Sequence, residues 1–328
     1  MRTIIIAAAI AAGAPAPGAL KTYADWTVGC DNGLACTMAS LIPEREDGRV
    51  TMSITRAPGL PGALRVAIVA EDAADSTPLS VSVDGVAVGG PSTDAVFTGA
   101  AARAMVVAIA KGRMLAVRSP TAPLGTVSLA GAAASLRYVD ATQRRAGTPS
   151  AIVATGTART VPPTPALPTV VARRARGAVA RLTAAQRRAL AKRAQCELPR
   201  GALSDPELYP LGGGATLLML PCSAGAYNFS SALFIGDGKR FVPARVDVPS
   251  GFGMDGRVGE AVPNVVNGSF VDGVLASYAK GRGLADCGVA QQFAWDGTRF
   301  RLIEQAMMGE CRGNRELITT WRARVIRR

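Results

Sequence analysis

The residue types that most often carry out chemistry in proteins are partly missing from this chain of 328 residues. It contains no histidine, which excludes the serine–histidine–aspartate and cysteine–histidine arrangements and most zinc sites. Six cysteines are present: Cys30, Cys36, Cys196, Cys222, Cys287 and Cys311. If all six form disulfides, no thiolate remains for nucleophilic or metal chemistry. Carboxylates, lysines and hydroxyls are then the groups left for catalysis.

One hydroxyl lies in a short pattern with a lysine. Ser277-Tyr278-Ala279-Lys280 fits the S-x-x-K pattern of penicillin-recognising enzymes, in which the serine is the nucleophile. That pattern should open a helix, whereas Ser277 ends a strand-like apolar run. The K-T-G sequence that accompanies it is absent, since glycine follows both Lys111 and Lys280. The sequence favours a strand at this place.

Four carboxylates of the C-terminal region offer another route to chemistry. Paired carboxylates cleave glycosidic bonds when one acts as the acid and the other as base or nucleophile. The candidates are Asp286, Asp296, Glu304 and Glu310. Their spacing fixes no distance between any two of them, and carboxylates at solvated turns and strand edges are far commoner. A carboxylate-dependent hydrolase of wall or glycan polymers is the alternative function, and we predict no catalytic residue, no metal and no cofactor.

A glycine-rich loop around Cys287 is the candidate contact surface for a partner. Its glycines permit close approach of another backbone, and a disulfide-bonded loop loses less entropy on binding. The candidate contact residues are Arg282, Asp286, Tyr227 and Asn228. Arginine and aspartate supply opposite charges, while tyrosine and asparagine supply a ring and an amide. The competing interpretation is a tight turn in which Arg282 pairs with a local carboxylate.

The net charge is +13, and arginine supplies most of the basic residues, because only five of the 37 are lysines. A run without one acidic residue holds Arg173, Arg174, Arg176, Arg181, Arg187, Arg188, Lys192 and Arg193. Such a run suits an anionic membrane surface, and Arg173, Arg174, Arg187 and Arg188 are the predicted contacts. The alternative is a solvated helix that docks its apolar face on a domain. Nucleic acid is not expected, because the run lacks aromatic residues for stacking.

The N-terminus predicts export. Residues 1–18 have the layout of a signal peptide, with a basic start, a short apolar core and small residues before the cleavage point. No later apolar run approaches the length of a membrane span, so we expect no transmembrane segment after signal removal. An even number of cysteines agrees with an oxidising compartment. A periplasmic protein is predicted.

The elements that position these residues are mainly strands. We predict two β-rich domains of sandwich or meander type, over residues 19–147 and 196–328. A Pro/Ala/Thr-rich linker, 148–172, and a basic helical segment, 173–195, join them. Thr183-Ala184-Ala185-Gln186 has the form of a capping box that opens the helix.

The cysteines are predicted to pair with their neighbours in sequence, although fifteen pairings are possible in principle. The pairs are Cys30–Cys36, Cys196–Cys222 and Cys287–Cys311. Cys30 and Cys36 flank an Asn-Gly turn signal. They can face each other only across a loop with an odd number of residues, because side chains alternate along a strand. We therefore expect a loop of three or five residues.

Two sets of motifs resemble known families. The first comprises Leu220-Pro221-Cys222-Ser223-Ala224-Gly225-Ala226-Tyr227-Asn228, Lys280-Gly281-Arg282-Gly283-Leu284-Ala285-Asp286-Cys287-Gly288, Trp295-Asp296-Gly297-Thr298-Arg299-Phe300 and Glu310-Cys311-Arg312-Gly313. It resembles the exported proteobacterial domain-of-unknown-function family 1176, which implies export and no particular activity.

The second set lies in the N-terminal half and is similar to the invasion-associated locus B family. It comprises Asp25-Trp26-Thr27-Val28-Gly29-Cys30, Cys36-Thr37-Met38, Val81-Ser82-Val83-Asp84-Gly85 and Pro123-Leu124-Gly125-Thr126-Val127-Ser128-Leu129-Ala130-Gly131. The chain departs from that family by lacking a second cysteine pair within the domain. The resemblance implies association with the cell envelope. Together these features predict a non-enzymatic binding or interaction module, whose partner is an envelope protein or an anionic polymer.

Overall fold

The computed structural model describes residues 14–328 apart from 45, 47, 75, 160, 198–204, 238 and 252–261. The predicted fold class is confirmed, because 22 strands and three helices make the described chain mainly β. The basic start and apolar core of the predicted signal peptide lie in residues 1–13, outside the described residues.

The N-terminal half forms two antiparallel sheets and two helices. Its elements are β1 (Lys21–Tyr23), β2 (Trp26–Cys30), β3 (Cys36–Ser40), β4 (Val50–Arg56), β5 (Leu64–Ala70), β6 (Leu79–Val83), β7 (Val86–Ser92), β8 (Val96–Thr98), α1 (Gly99–Ile109), β9 (Met114–Arg118), β10 (Pro123–Ser128) and α2 (Ala132–Thr142). One sheet has the order β1-β2-β3-β4-β5-β8 and the other β10-β9-β6-β7.

A single apolar core lies between these sheets and helices. Alternation along β4 directs Met52 and Ile54 into it, and Met105 and Ile109 enter from α1. Trp26 is fully buried there, and its indole N–H donates to the carbonyl of Ser128 at 2.9 Å. A buried aromatic ring of this size contributes a few kcal/mol when its polar atom keeps a partner.

The C-terminal half is built from strands with one helix. Its elements are β11 (Thr169–Ala172), α3 (Ala184–Arg193), β12 (Glu207–Gly212), β13 (Ala215–Ala224), β14 (Phe229–Gly236), β15 (Phe241–Pro243), β16 (Asn264–Val266), β17 (Ser269–Val271), β18 (Val274–Lys280), β19 (Gly288–Trp295), β20 (Phe300–Met308), β21 (Ile318–Arg322) and β22 (Arg324–Arg327). The sheets are β12-β13-β14-β15, with β16 beside β14, and β17-β18-β19-β20-β21.

The two C-terminal sheets pack face to face, and α3 covers the outer face of one of them. Along β13, Leu217 and Met219 enter the core between the sheets. Leu218 and Leu220 point the other way and pack with Leu190 of α3. Both faces of β13 are thus covered, which explains why its sequence is continuously apolar instead of alternating.

All three disulfides have the predicted pairing. Cys30 and Cys36 lie directly opposite each other in the β2–β3 register, across a loop of residues 31–35. The odd loop length predicted from strand alternation is therefore confirmed. The described residues contain no free cysteine.

The segment between the halves is partly folded onto its neighbours. The backbone N–H groups of Ile152 and Val153 donate to the Asp140 carboxylate of α2 at 2.9–3.0 Å. At the other end, β11 pairs in parallel with β22. The domain boundaries predicted from composition stay a prediction, but residues 151–153 and 169–172 are held by hydrogen bonds at both ends of the predicted linker.

The two halves contact each other through the outer face of the first sheet. Ala39 and Leu41 pack with Cys287, Met308 and Ile318 in one buried cluster. Polar contacts surround this cluster: Arg322 pairs with the buried Asp31, Arg312 Nη2 lies 2.6 Å from Asp25 Oδ1, and Asn314 Nδ2 donates to the Ser40 carbonyl at 2.7 Å. No helix in the described part of the chain is long and apolar enough to cross a membrane.

Candidate binding surface around the Cys287 loop

The Cys287 loop, residues 281–287, connects β18 to β19 at one end of the second C-terminal sheet. Its disulfide to Cys311 and two backbone hydrogen bonds hold it closed. Gly281 N donates to the Cys287 carbonyl at 2.9 Å, and Ala285 N donates to the Arg282 carbonyl at 3.1 Å. The loop is therefore a compact turn with a fixed shape.

Arg282 and Asp286 form an ion pair inside the loop. Two guanidinium nitrogens of Arg282 donate to the two Asp286 oxygens, one of them at 2.7 Å. The Asp286 side chain is 2% exposed, and it also accepts Gly313 N at 2.7 Å. Burial raises the pKa of Asp286, but the hydrogen bonds from Arg282 and Gly313 outweigh it and hold the pKa below its usual value. Asp286 therefore fixes the loop, whereas Arg282 keeps 42% of its side chain in solvent.

Tyr227 and Asn228 lie against the same loop, as the sequence predicted if the disulfides came together. Asn228 Nδ2 donates to the Lys280 carbonyl at 2.9 Å, and Lys280 N donates back to Asn228 Oδ1 at 3.1 Å. The Tyr227 hydroxyl donates to the Gly281 carbonyl at 3.2 Å. A Cβ added to Gly283 would lie 3.8 Å from the Tyr227 ring, so the ring covers this glycine. The structure thus brings all four predicted contact residues together.

Asn267 is a member of this cluster that the sequence analysis missed. Its amide N–H groups donate to Asn228 Oδ1 and the Tyr278 carbonyl at 2.9 Å each, and its oxygen accepts Phe229 N at 3.0 Å. The Asn267-Gly268 dipeptide is a turn signal that marks the β16–β17 connection. The signal locates the turn, but the distant partners of the amide are visible only in the folded chain.

Apolar side chains are exposed beside the loop. Leu284 is 60% exposed, Phe229 is 59% exposed and Tyr227 is 37% exposed. Leu284 belongs to the loop itself, and Phe229 follows Asn228 in sequence. Tyrosine, phenylalanine and arginine are the residues enriched in protein interfaces. We call Arg282, Leu284, Tyr227 and Phe229 the Cys287-loop surface.

The S-x-x-K pattern does not form a nucleophile. Ser277 lies within β18 and is 3% exposed. Its hydroxyl donates to the Val266 carbonyl at 3.2 Å and accepts Val266 N at 3.0 Å. The hydroxyl joins two strands, as the strand interpretation of the sequence required.

The four candidate carboxylates of the alternative hydrolase are in different settings. Asp286 is buried and paired with Arg282, Glu310 Oε1 accepts the Thr22 hydroxyl at 2.9 Å, and Glu304 is exposed on β20. Asp296 accepts Thr298 N at 2.8 Å and Arg299 N at 2.9 Å. Although burial raises its pKa, these bonds hold the pKa of Asp296 below its usual value. A glycosidase acid needs a raised pKa, which neither Asp286 nor Asp296 has.

The four predicted anion contacts of the basic segment fall in two places. Arg187 and Arg188 lie on α3, whose capping box at Thr183 is present as predicted. Arg188 is exposed, while Arg187 is partly buried and lies 3.8 Å from Asp205. Arg173 and Arg174 precede the helix and are exposed beside β22. Arg173 N donates to the Trp295 carbonyl, and Arg174 N donates to the Arg328 carbonyl.

Acidic side chains and cysteines do not gather into a metal site in the described ranges, where no group of three or more could hold an ion.

The comparison with known proteins agrees with the resemblance drawn from the C-terminal motifs. Residues 20–326 match the family described as "Protein of unknown function (DUF1176)". The chain belongs to the DUF1176 family. A protein of Escherichia coli (strain K12), described as "Uncharacterized protein YpfG", is 28% identical over 318 residues, which cover 89% of each chain.

A solved structure is also similar to part of this DUF1176 protein. The crystal structure of invasion associated protein B from Bartonella henselae matches 38% of this chain and 99% of its own, at 20% identity and a TM-score of 0.30. The three disulfides are consistent with an exported protein.

Proposed function

We propose that this DUF1176 protein works by binding a partner protein of the cell envelope through the Cys287-loop surface. The observation that carries the proposal is the 60% exposure of Leu284 on a loop whose shape is fixed by a disulfide and side-chain hydrogen bonds. Phe229, 59% exposed, begins β14 directly after Asn228, which is hydrogen-bonded to Lys280 just before the loop. A rigid surface loses little conformational entropy on association. Arg282 belongs to the same loop as Leu284 and is held in place by Asp286.

The test compares partner recovery by matched surface variants. Leu284→Glu places a charge in the proposed surface, and Val86→Glu does so at an equally exposed position of the β6–β7 hairpin, where Val86 is 68% exposed. Tagged protein is recovered from envelope extract, and the co-purified proteins are identified by mass spectrometry. We expect Leu284→Glu to lose the partner that the wild type and Val86→Glu retain, at unchanged melting temperature. Equal recovery by all three proteins would contradict the proposal.

A hydrolase would give a different result. Turnover of peptidoglycan or another glycan, abolished by one change among Asp296, Glu304 and Glu310, would refute the non-enzymatic proposal. Asp286 is left out of this test because its removal is expected to alter the loop itself.

We further infer that the protein acts in the periplasm after removal of its signal peptide. Three disulfides in a chain of this length support an oxidising compartment. Cell fractionation followed by N-terminal sequencing tests this proposal. A periplasmic protein should begin near residue 19, and full-length protein in the cytosolic fraction would contradict it.

A second proposed contact is an anionic membrane surface at the basic segment. Leu190 of α3 is buried against the sheet, so the exposed face of the helix carries Arg188, Lys192 and Arg193. Each basic side chain near an anionic membrane contributes about 1 kcal/mol, and salt weakens the attraction.

Charge reversal tests this contact. Changing Arg188 and Lys192 to Glu should abolish salt-sensitive binding to vesicles that contain anionic lipid. Reversing two exposed arginines of the N-terminal half, Arg65 and Arg118, serves as the control of equal net charge. Equal retention of both variants would leave α3 as a docked helix only.

A further inference from the structure

A pocket lies at the opposite end of β19 from the Cys287 loop. It has a volume of about 360 Å³, within the range of small-molecule sites. The turn between β12 and β13, the turn between β19 and β20 and the facing ends of β14 and β15 surround it. Because β19 has eight residues, at about 3.3 Å per residue the pocket lies roughly 23 Å from the loop.

The interior of the pocket is apolar and includes an aromatic ring. Trp295, Ile235, Val242 and Pro243 line it. The Trp295 ring packs on Phe300 at a centroid distance of 5.2 Å, which fixes its orientation. Trp295 is 5% exposed and forms the base of the pocket, while Val242, 40% exposed, offers an apolar surface on which a flat group could pack.

One arginine lines the pocket, and a second lies beside two of its lining glycines. Arg245 lines it, and its backbone is fixed because its carbonyl accepts Phe300 N at 2.8 Å. The Arg173 side chain lies next to Gly213 and Gly297, one glycine in each of two turns that line the pocket. If Gly213 carried a Cβ, that atom would lie 3.0 Å from Nη1 of Arg173, and a Cβ on Gly297 would clash with the guanidinium. Glycines at these two positions thus leave room for the Arg173 side chain.

Two aspartates near the pocket already have hydrogen-bond or ion-pair partners within the protein. Asp237 lines it, and its carboxylate accepts Lys239 N and Arg240 N at 3.0 Å each, which lowers its pKa. Asp247 pairs with Arg301 and Arg299. Within the described residues, neither Arg173 nor Arg245 has a carboxylate within 4.0 Å. The pocket therefore combines an apolar wall with one lining arginine, Arg245, and a second arginine, Arg173, beside its glycine turns.

We propose that this pocket binds a small organic anion with a flat apolar body, independently of the Cys287-loop surface. The apolar body packs on Val242 and Pro243, and the anionic group accepts hydrogen bonds from Arg173 and Arg245. Guanidinium groups bind planar anions through paired hydrogen bonds, which a neutral ligand of the same shape cannot accept with equal strength.

The experiment uses the full chain and two fluorescent probes of similar shape. Anilinonaphthalene sulfonate carries the anion, and N-phenylnaphthylamine is its neutral counterpart. We compare wild type with Arg173→Gln, Arg245→Gln and the control Arg118→Gln, an exposed arginine on β9. Val242→Trp, at a 40% exposed strand position that lines the pocket, fills the site.

We expect the wild type and Arg118→Gln to bind the sulfonate equally. Each pocket arginine variant should weaken binding about tenfold or more, and Val242→Trp should remove it. Circular dichroism and melting temperature identify any variant that fails to fold, and the two arginine variants test the proposal separately. The proposal is overturned if both bind like Arg118→Gln, if Val242→Trp binds like wild type, or if the neutral probe binds wild type as tightly as the sulfonate.

Discussion

Single buried carboxylates fix the loops of this protein. Asp286 accepts hydrogen bonds from Arg282 and Gly313 in the Cys287 loop. Asp140 performs the same task for residues 152–154, and its partner Arg56 lies at 2.7 Å. Burial and the neighbouring Arg145 lower the pKa of Arg56 to about 10, so its guanidinium stays charged near neutral pH. Removing such a carboxylate leaves its donors without partners.

Asp286→Asn should lower the free energy of unfolding by about 1–3 kcal/mol near neutral pH, because a charged hydrogen-bond acceptor is lost. The folded-state pKa of Asp286 lies below its unfolded value. Its stabilising contribution is therefore present above the unfolded pKa of about 3.9 and disappears as the pH falls through the folded pKa. Urea unfolding at neutral pH and at about pH 2.5 should show the difference between wild type and variant shrinking in acid.

The matched control for this prediction is Asp272→Asn, an exposed aspartate in the β17–β18 turn of the same sheet. It should change stability little at either pH. Equal effects of the two substitutions, or a loss that does not depend on pH, would count against the role given to Asp286.

Local sequence patterns predicted strands, turns and the start of a helix, whereas they could not predict contacts between residues far apart in sequence. The facing of Cys30 and Cys36 follows from the alternation of side chains, and the start of α3 follows from its capping box. The Arg56–Asp140 pair joins residues 84 positions apart, and no local pattern identifies such a partner. The same holds for Asn267, whose turn could be predicted and whose contacts could not. Of the residues of the Cys287-loop surface, the sequence predicted Arg282 and Tyr227, whereas the exposure of Leu284 and Phe229 and the burial of Asp286 depend on the folded chain.

The disulfide Cys196–Cys222 ties the end of α3 to β13 across a sequence separation of 26. Replacing both cysteines by Ala should cost about 3 kcal/mol of unfolding free energy, because the unfolded chain regains the freedom of that loop. It should also loosen α3 selectively. Urea unfolding measures the first effect, and amide hydrogen exchange of residues 184–193 measures the second.

The matched control replaces Cys287 and Cys311, which are separated by 24 residues in the same half. A similar global loss with normal protection of α3 is expected there. If α3 exchanges equally in both variants, the disulfide at Cys196 does not hold the helix.

At the scale of the whole molecule, the two halves are joined by a non-covalent interface and by the single covalent connection of the chain between α2 and β11. Asp31 and Arg322 pair across it, and Ile318 packs on Ala39. None of the three disulfides crosses from one half to the other, because each pair lies within residues 30–36, 196–222 or 287–311.

After cleavage of this connection between α2 and β11, the two fragments should therefore stay associated as one folded complex. A site-specific protease sequence in place of residues 163–166, which are exposed, provides the cut. The cut protein should elute as a single species in gel filtration and separate into two bands in denaturing gels without reductant. Elution as two native species would show that the interface does not hold the halves together.

The sheet face that carries Ala39 has a consequence for biosynthesis. The carbonyl of the adjacent Ser40 and its partner Asn314 are 274 positions apart, so the ribosome completes the first sheet long before the residues that cover it have been made. Until then this apolar and polar face is open to neighbouring chains, and nascent polypeptides with such exposed surfaces aggregate readily. A truncated chain that ends before residue 287 would lack Cys287, Met308 and Ile318, which cover that face. Such products should accumulate with chaperones or be degraded instead of folding as a smaller protein.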